Sequence, residues 1–130
     1  MANPNIVNVT TIYGTTTYFT PSGTSAVVLL PNAAASGQVY KINQIVVSNT
    51  SASAAAATVS VYSNGAVAQG SAPSGGTAYP VISAVSVPAN ASLIAVDKTT
   101  AIYLMEGTSI AITSGTASAL TYTISYENIS

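Results

Sequence analysis

Carboxylates placed at a suitable separation can perform acid–base catalysis, and this sequence clusters two of its three acidic residues. Asp97 and Glu106 lie with Lys98 in the segment SLIAVDKTTAIYLMEGTSIAI, residues 92–112, and Glu127 follows near the end. Two such carboxylates cleave a glycosidic bond when they lie roughly 5 Å or roughly 6.5–9.5 Å apart around the sugar. Sugar clefts usually add aromatic platforms, and the sequence contains no Trp. The pattern therefore gives a glycosidase pair little support.

The same charged residues fit tight turns. Asp97-Lys98-Thr99-Thr100 separates the apolar runs SLIAV and AIYLM, which predicts a hairpin turn in which Asp bonds nearby amides. Glu106-Gly107 separates AIYLM from TSIAIT, and Gly can take the positive φ that many turns require. We therefore predict structural roles for these charges.

Other catalytic and ligand-binding chemistries lack their residues. The chain has no His and no Cys, so the usual general base, the usual metal ligand and a thiolate are all missing. Without a base a Ser nucleophile stays unactivated. The sequence shows no acidic loop with calcium-ligand spacing and no phosphate-binding loop. We predict that the protein is not an enzyme and that it binds no metal or cofactor.

Charge and hydropathy exclude further classes. Two Lys and no Arg give too few cations for phosphate contacts, so we expect no nucleic-acid partner. No run approaches the ~18 apolar residues of a membrane span, and the start lacks a secretion signal. We expect synthesis in the cytoplasm and no membrane partner. Charged residues are only 4% of the chain, and proteins near zero net charge tend to associate.

Alternation of apolar and polar residues dominates the chain and predicts strands. In residues 119–127, Leu120, Tyr122, Ile124 and Tyr126 fall on one face and polar residues on the other. The same alternation in ATVSVYS, residues 57–63, predicts that Val59 and Val61 face inward and Tyr62 outward. In VISAVSV, residues 81–87, it predicts that Val81, Val85 and Val87 face inward. The run Ile45-Val46-Val47 predicts a strand covered on both faces.

Turn residues recur every ~8–12 positions, which is typical of an antiparallel β-sandwich. The sequence thus predicts an all-β chain with a single sandwich, of either immunoglobulin-like or jelly-roll Greek-key connectivity. Residues 49–58 are Ala-rich and predict a loop with at most one helical turn. Residues 65–80, rich in Gly, Pro and Ser, predict an exposed, mobile loop.

The first twenty residues are predicted to form a separate element. They contain no charge that would discourage strand pairing, so residues 1–20 predict an edge strand or an arm that pairs with a neighbour, and residues 21–130 the sandwich. Tyr and Phe are enriched in the cores of protein contacts. The candidate interface residues are Ile6, Val7, Val9, Ile12, Tyr13, Tyr18 and Phe19.

Three segments together resemble small structural proteins of tailed bacteriophages, including those that infect cyanobacteria. They are VYKINQIVVSNTS (39–51), SLIAVDKTTAIYLMEGTSIAI (92–112) and YTISYENIS (122–130). The resemblance extends over roughly residues 38 to 130 and implies a virion component with a β-sandwich fold. It implies a capsid decoration or cement protein that binds the major capsid protein, or another virion protein, in many copies.

One alternative remains at this point, and a second is disfavoured. The chain could belong to the neck, the tail or a fibre tip, where the 65–80 loop and exposed Tyr residues would bind host-surface carbohydrate. A Thr-rich ice-binding surface would need regularly spaced Thr on consecutive strands, and the segment lengths are irregular. We expect a homo-oligomer located in the virion.

Overall fold

The computed structural model describes residues 8–130, and within them the chain folds into nine β-strands and one turn of 3-10 helix at Lys98–Thr100. The strands are β1 Ile12–Phe19, β2 Val27–Asn32, β3 Val39–Asn49, β4 Ala55–Tyr62, β5 Ala78–Val87, β6 Ser92–Val96, β7 Ile102–Leu104, β8 Thr108–Ser114 and β9 Leu120–Ile129. No helix in this described part of the chain is long and apolar enough to cross a membrane.

The strands form two antiparallel sheets that pack face to face. Sheet A has the order β1-β9-β3-β6, with β7 also paired to β3, and sheet B has the order β2-β8-β4-β5. The predicted all-β sandwich with an edge strand near its start is therefore confirmed. Each sheet alternates strands from the two halves of the chain, which is the arrangement of a jelly roll. This order decides between the two connectivities that the sequence left open.

The core lies between the sheets and is built by alternation. Leu120, Tyr122 and Ile124 of β9 are completely buried, as the sequence predicts, because their side of sheet A faces sheet B. The Tyr122 hydroxyl donates to the carbonyl oxygen of Thr113 at 2.7 Å, so its polar atom is satisfied inside the sandwich. Opposite them, Ile110 and Ile112 of β8 are also fully buried.

Strand β5 departs from the predicted alternation. Val81 is exposed, whereas Ile82 packs against the core and Val87 is buried. The cause is an irregularity at Ala84, which has φ 50°, and the pairing of β5 with β4 shifts register there. One extra residue reverses which side chains face inward, so the inward prediction for Val81 is wrong.

Tyr62 lies on the outward side of β4, as predicted, but it is not exposed there. It lies on the side of β4 opposite to Val59, yet it is buried because the segment that follows β4 folds back over it. Its hydroxyl donates to the Gly76 carbonyl at 3.1 Å and accepts from the Gly76 N–H at 3.0 Å. The predicted loop at 65–80 is largely exposed, but its last three residues belong to β5, and backbone hydrogen bonds tie it to β2.

The sequence predicted at most one helical turn in the Ala-rich segment 49–58, but the helical turn of the structure lies elsewhere. Residues from Ala55 onward form β4, and the 3-10 turn is at Lys98–Thr100. The predicted hairpin at this turn is wrong, because β6 and β7 both pair with β3 rather than with each other. The second predicted turn is confirmed, and Gly107 has φ 75° there.

Two buried asparagines connect the sheets near opposite ends of the sandwich. Asn32 on β2 of sheet B donates to the carbonyl oxygens of Leu104 on β7 and of Gln38, both at 3.0 Å. Asn49 on β3 of sheet A donates to the carbonyl oxygen of Val87 on β5 at 2.9 Å. Each amide thus satisfies backbone groups of the opposite sheet that water does not reach.

Replacing either asparagine with Ala should lower the free energy of unfolding by about 2–4 kcal/mol, because buried carbonyls lose their donors. Chemical denaturation measures this change. Gln44→Ala is the matched control, since Gln44 is an exposed amide on β3 and its loss should change stability by less than about 0.5 kcal/mol. Equal stability of Asn49→Ala and Gln44→Ala would contradict the assignment.

Candidate interaction surface

Sheet A has an outer face, defined here as the side turned away from sheet B. Since Leu120, Tyr122 and Ile124 face sheet B, the intervening residues of β9 lie on the outer face. The strand registers place one row straight across it, from β1 through β9 and β3 to β6: Tyr18, Thr123, Val46 and Ile94. The outer face therefore joins residues that are far apart in sequence.

Large apolar side chains on this face are open to solvent. Tyr18 is 70% exposed and Ile94 is 58% exposed, and they occupy the two ends of the same row. Tyr103, paired with Lys41 across β7 and β3, is 47% exposed. Tyr18 is among the residues that the sequence indicates, whereas Ile94 and Tyr103 are not, because their segments have the pattern of ordinary half-buried strands until the neighbouring strands are known. Exposed aromatic and aliphatic groups of this kind are what protein contacts bury.

Hydroxyl groups fill much of the remaining outer face and bond to each other across strands. Thr20 and Thr121 lie 2.8 Å apart between their hydroxyl oxygens, and Ser48 and Ser92 lie 3.3 Å apart. On β1 and β9, the hydroxyls of Thr16 and Ser125 are 3.1 Å apart. Side chains held by such bonds lose less conformational entropy when a partner covers them.

The charges on the outer face neutralise each other. Lys41 and Glu127 are cross-strand neighbours whose Nζ and Oε2 atoms are 4.0 Å apart, and the Asn43 amide donates to the same carboxylate oxygen at 3.0 Å. Both charged side chains remain about one third exposed, so the pair adds little stability. Its effect is to leave the face without net charge.

Asp97 is committed to a structural role at the margin of the sheet. Its carboxylate accepts from the Thr99 N–H at 2.9 Å and from the Thr99 hydroxyl, while the Thr100 hydroxyl accepts from the Asp97 N–H. This capping box begins the 3-10 turn. The two hydrogen bonds from Thr99 hold the pKa of Asp97 below its ordinary value of 3.8.

A shallow hollow of about 390 Å³ adjoins this turn. The residues that line it are Asn43, Gln44, Asp97, Lys98 and Ser125. The carboxylate in it already accepts hydrogen bonds from Thr99, and no aromatic ring lines the hollow. Of the acidic residues that the sequence singled out, only Asp97 lines this hollow, and its carboxylate is engaged in capping the 3-10 turn.

The three carboxylates serve different elements. Asp97 caps the 3-10 turn, Glu127 pairs with Lys41 within sheet A, and Glu106 is half-buried at the turn between β7 and β8. Among residues 8–130, no group of three His, Cys, Asp or Glu side chains is placed to hold a metal ion. Each carboxylate thus belongs to a different local element of the fold.

The candidate interface residues lie on different sides of β1. Ile12 and Tyr18 lie on the outer face, and Tyr13 lies on the opposite side of β1, where it is 63% exposed. Phe19 packs against the core, and Val9 is half-buried in the segment before β1. Ile6 and Val7 lie outside the described residues. The structure brings Ile12 and Tyr18 onto one surface and separates them from Phe19.

A second hollow, of about 370 Å³, lies at one end of the sandwich. Pro31, Ser36, Gln38, Tyr40 and residues 65–68 line it, together with Ala33. The Tyr40 hydroxyl donates to Gln38 Oε1 at 2.9 Å, and the Ser36 hydroxyl donates to Asn32 Oδ1 at 2.6 Å. Burial raises the pKa of Tyr40. The polar groups of this hollow are largely used within the protein.

Comparison of the chain with protein-family models, with curated proteins and with solved structures gives no significant match.

Thr99→Ala should raise the pKa of Asp97 toward its ordinary value, because it removes the Thr99 hydroxyl, whose hydrogen bond makes the largest lowering contribution, while the backbone N–H of residue 99 remains. In the native protein these bonds stabilise the fold above pH 3.8, and their contribution is lost as the pH falls through the lowered pKa. An NMR titration of the Asp97 carboxyl measures the shift. Thr24→Ala, in the exposed loop after β1, should leave the pKa unchanged. A pKa in Thr99→Ala that stays as low as in the native protein would contradict the capping assignment.

Proposed function

We propose that the protein is a structural component of a tailed-phage virion, a capsid decoration protein that binds the lattice of the major capsid protein in many copies. The observation that supports it most is the outer face of sheet A, which combines exposed Tyr18, Ile94 and Tyr103 with neutral hydroxyls. Interface cores are depleted of charge and enriched in aromatic residues. Such a face loses little hydration energy when a partner covers it.

The wider chain agrees with a docking role. Charged residues are 4% of the sequence and the formal net charge is −1, so electrostatic repulsion between neighbouring copies on a lattice is small. Many modest contacts on a repeating surface add up through multivalency, so a single site does not need high affinity. The jelly-roll strand order is an architecture that viral capsid domains use, and this support is by analogy of fold alone.

A neck, tail or fibre-tip protein that binds host carbohydrate is the second candidate. The hollow beside Tyr40 favours it, because residues 65–68 line this hollow and its volume of about 370 Å³ suits a small ligand. Its Tyr, Gln and Ser side chains are groups that sugars can contact. Their hydrogen bonds within the protein make this candidate the weaker one.

Copy number separates the two candidates. Under the decoration proposal, the chain is encoded by a tailed phage and quantitative mass spectrometry of purified particles finds it in numbers comparable to the major capsid protein. A few copies per particle would support the tail or fibre candidate and overturn decoration. Absence of the chain from purified particles would overturn both.

Ile94→Lys should weaken binding to capsids that lack the chain by about tenfold or more, which corresponds to about 1.4 kcal/mol. The physical reason is that Lys places an unpaired cation at one end of the apolar row on the outer face. Co-sedimentation with capsids measures the affinity. Tyr79→Lys is the matched control, since Tyr79 is similarly exposed but lies on β5 of the other sheet. Equal binding by both variants would show that the outer face is not the docking surface.

A further inference from the structure

The outer edge of β1 presents backbone groups that no other strand of residues 8–130 pairs. Thr11 and Ser130 exchange both backbone hydrogen bonds, and the register between β1 and β9 continues from there without a shift. In an antiparallel pair, hydrogen-bonded positions alternate. The N–H and C=O groups of Tyr13, Thr15 and Thr17 therefore point toward β9. Those of the intervening residues, Ile12, Gly14, Thr16 and Tyr18, point away from the sheet.

The edge of sheet B at β2 is protected. The Val28 N–H donates to the Ser71 carbonyl at 2.9 Å, and the Val28 carbonyl accepts from the Gly70 N–H at 2.8 Å. The Gln69 side chain donates to the Leu29 carbonyl at 2.8 Å, and Pro31 has no N–H to offer. A neighbouring strand therefore cannot pair with β2 without displacing residues 69–71.

The two remaining edges are interrupted. Strand β5 contains Pro80 and the irregularity at Ala84, whose N–H already donates to the Thr58 hydroxyl at 2.9 Å. On the far side of sheet A, β6 and β7 are short and are separated by the turn that holds Asp97 and Lys98. Proline, irregular pairing, charges and short strands are the devices that prevent edge-to-edge pairing. Among the sheet edges of residues 8–130, only β1 has none of them.

We propose that the free edge of β1 pairs with β1 of a second copy of this chain, antiparallel, across a two-fold axis at Thr15. When two copies of sheet A join edge to edge, their outer faces lie on the same side. An outer-face residue of one copy is therefore opposite an outer-face residue of the other. Placing Thr15 opposite Thr15 puts Ile12 opposite Tyr18 and Gly14 opposite Thr16. In this register, every outward-pointing backbone group from Ile12 to Tyr18 finds a partner.

A second copy fits this edge better than an unrelated strand because the side chains are self-complementary. The exposed Ile12 of one copy meets the exposed Tyr18 of the other, twice by symmetry, and each pair buries apolar surface on the outer face. On the opposite side, Tyr13 meets Thr17. No charged residue lies in β1, so two copies bring no like charges together along the strand.

The pairing has a geometric consequence for attachment. The two-fold axis is perpendicular to sheet A, so the two sheets become one continuous sheet and both outer faces lie on the same side. A dimer then presents two copies of the row Tyr18, Thr123, Val46 and Ile94 to one surface. The proposal concerns the partner of β1 and is independent of whether the surface bound is a capsid.

A disulfide trap tests the register, and the natural sequence contains no Cys that would interfere. Facing residues at a position without mutual hydrogen bonds have Cα atoms about 4.5 Å apart, within the range that a disulfide spans. Thr15→Cys should therefore give a covalent dimer under mild oxidation. Tyr13→Cys is the control, because across the axis the two copies of this position are about 13 Å apart. A failure of Thr15→Cys to cross-link would overturn the register.

Sedimentation velocity of the full chain tests the dimer itself. The native protein should be dimeric at tens of micromolar. Thr16→Pro should weaken association at least tenfold, because proline lacks the N–H of Thr16, which points to the free edge and makes no hydrogen bond to β9. Tyr18→Lys, which keeps the backbone intact, should weaken it as well. Ile94→Lys should remain dimeric, so loss of capsid binding and loss of dimerisation are distinguishable. A native chain that is monomeric at these concentrations would overturn the proposal.

Discussion

Burial of one side of sheet A against one side of sheet B is the interaction on which the rest of the structure depends. It removes Tyr122, Ile124, Ile110 and Ile112 from water and fixes which side of every strand faces outward. Charged side chains contribute almost nothing to this arrangement, and the buried carbonyl oxygens of Leu104 and Val87 accept hydrogen bonds from neutral donors, the amides of Asn32 and Asn49. The apolar core and the uncharged exterior are thus consequences of the same composition.

Much of the fold could be predicted from the sequence because alternation is a local property. The pattern of β9 and the turn at Gly107 follow from neighbouring residues alone. Three features could not be predicted, since each depends on distant groups. The irregularity at Ala84 reverses the facing of Val81, the segment ending at Gly76 buries Tyr62, and the pairing of both β6 and β7 with β3 replaces a hairpin.

The candidate surface shows the same division. Ile12 and Tyr18 could be selected from the sequence alone, because an uncharged segment rich in aromatic residues near the start of the chain is unusual. Ile94 was not, because its place beside Val46 and Thr123 arises only when β6, β3 and β9 are neighbours in one sheet. The carboxylates attract attention in the sequence by their rarity. In the structure they cap a turn, pair with a lysine or lie at a turn between the sheets.

The pairing of β1 with β9 joins residues that are far apart along the chain, since Thr16 bonds to Ser125 across 109 positions. Contacts of such long range form late, because a large loop must close before they gain any energy. In sheet A, β1 pairs with β9, so before β9 is synthesised β1 has no strand of this sheet to pair with. The paired form of β1, with its outer edge held straight, therefore arises only after nearly all of the described chain has been synthesised.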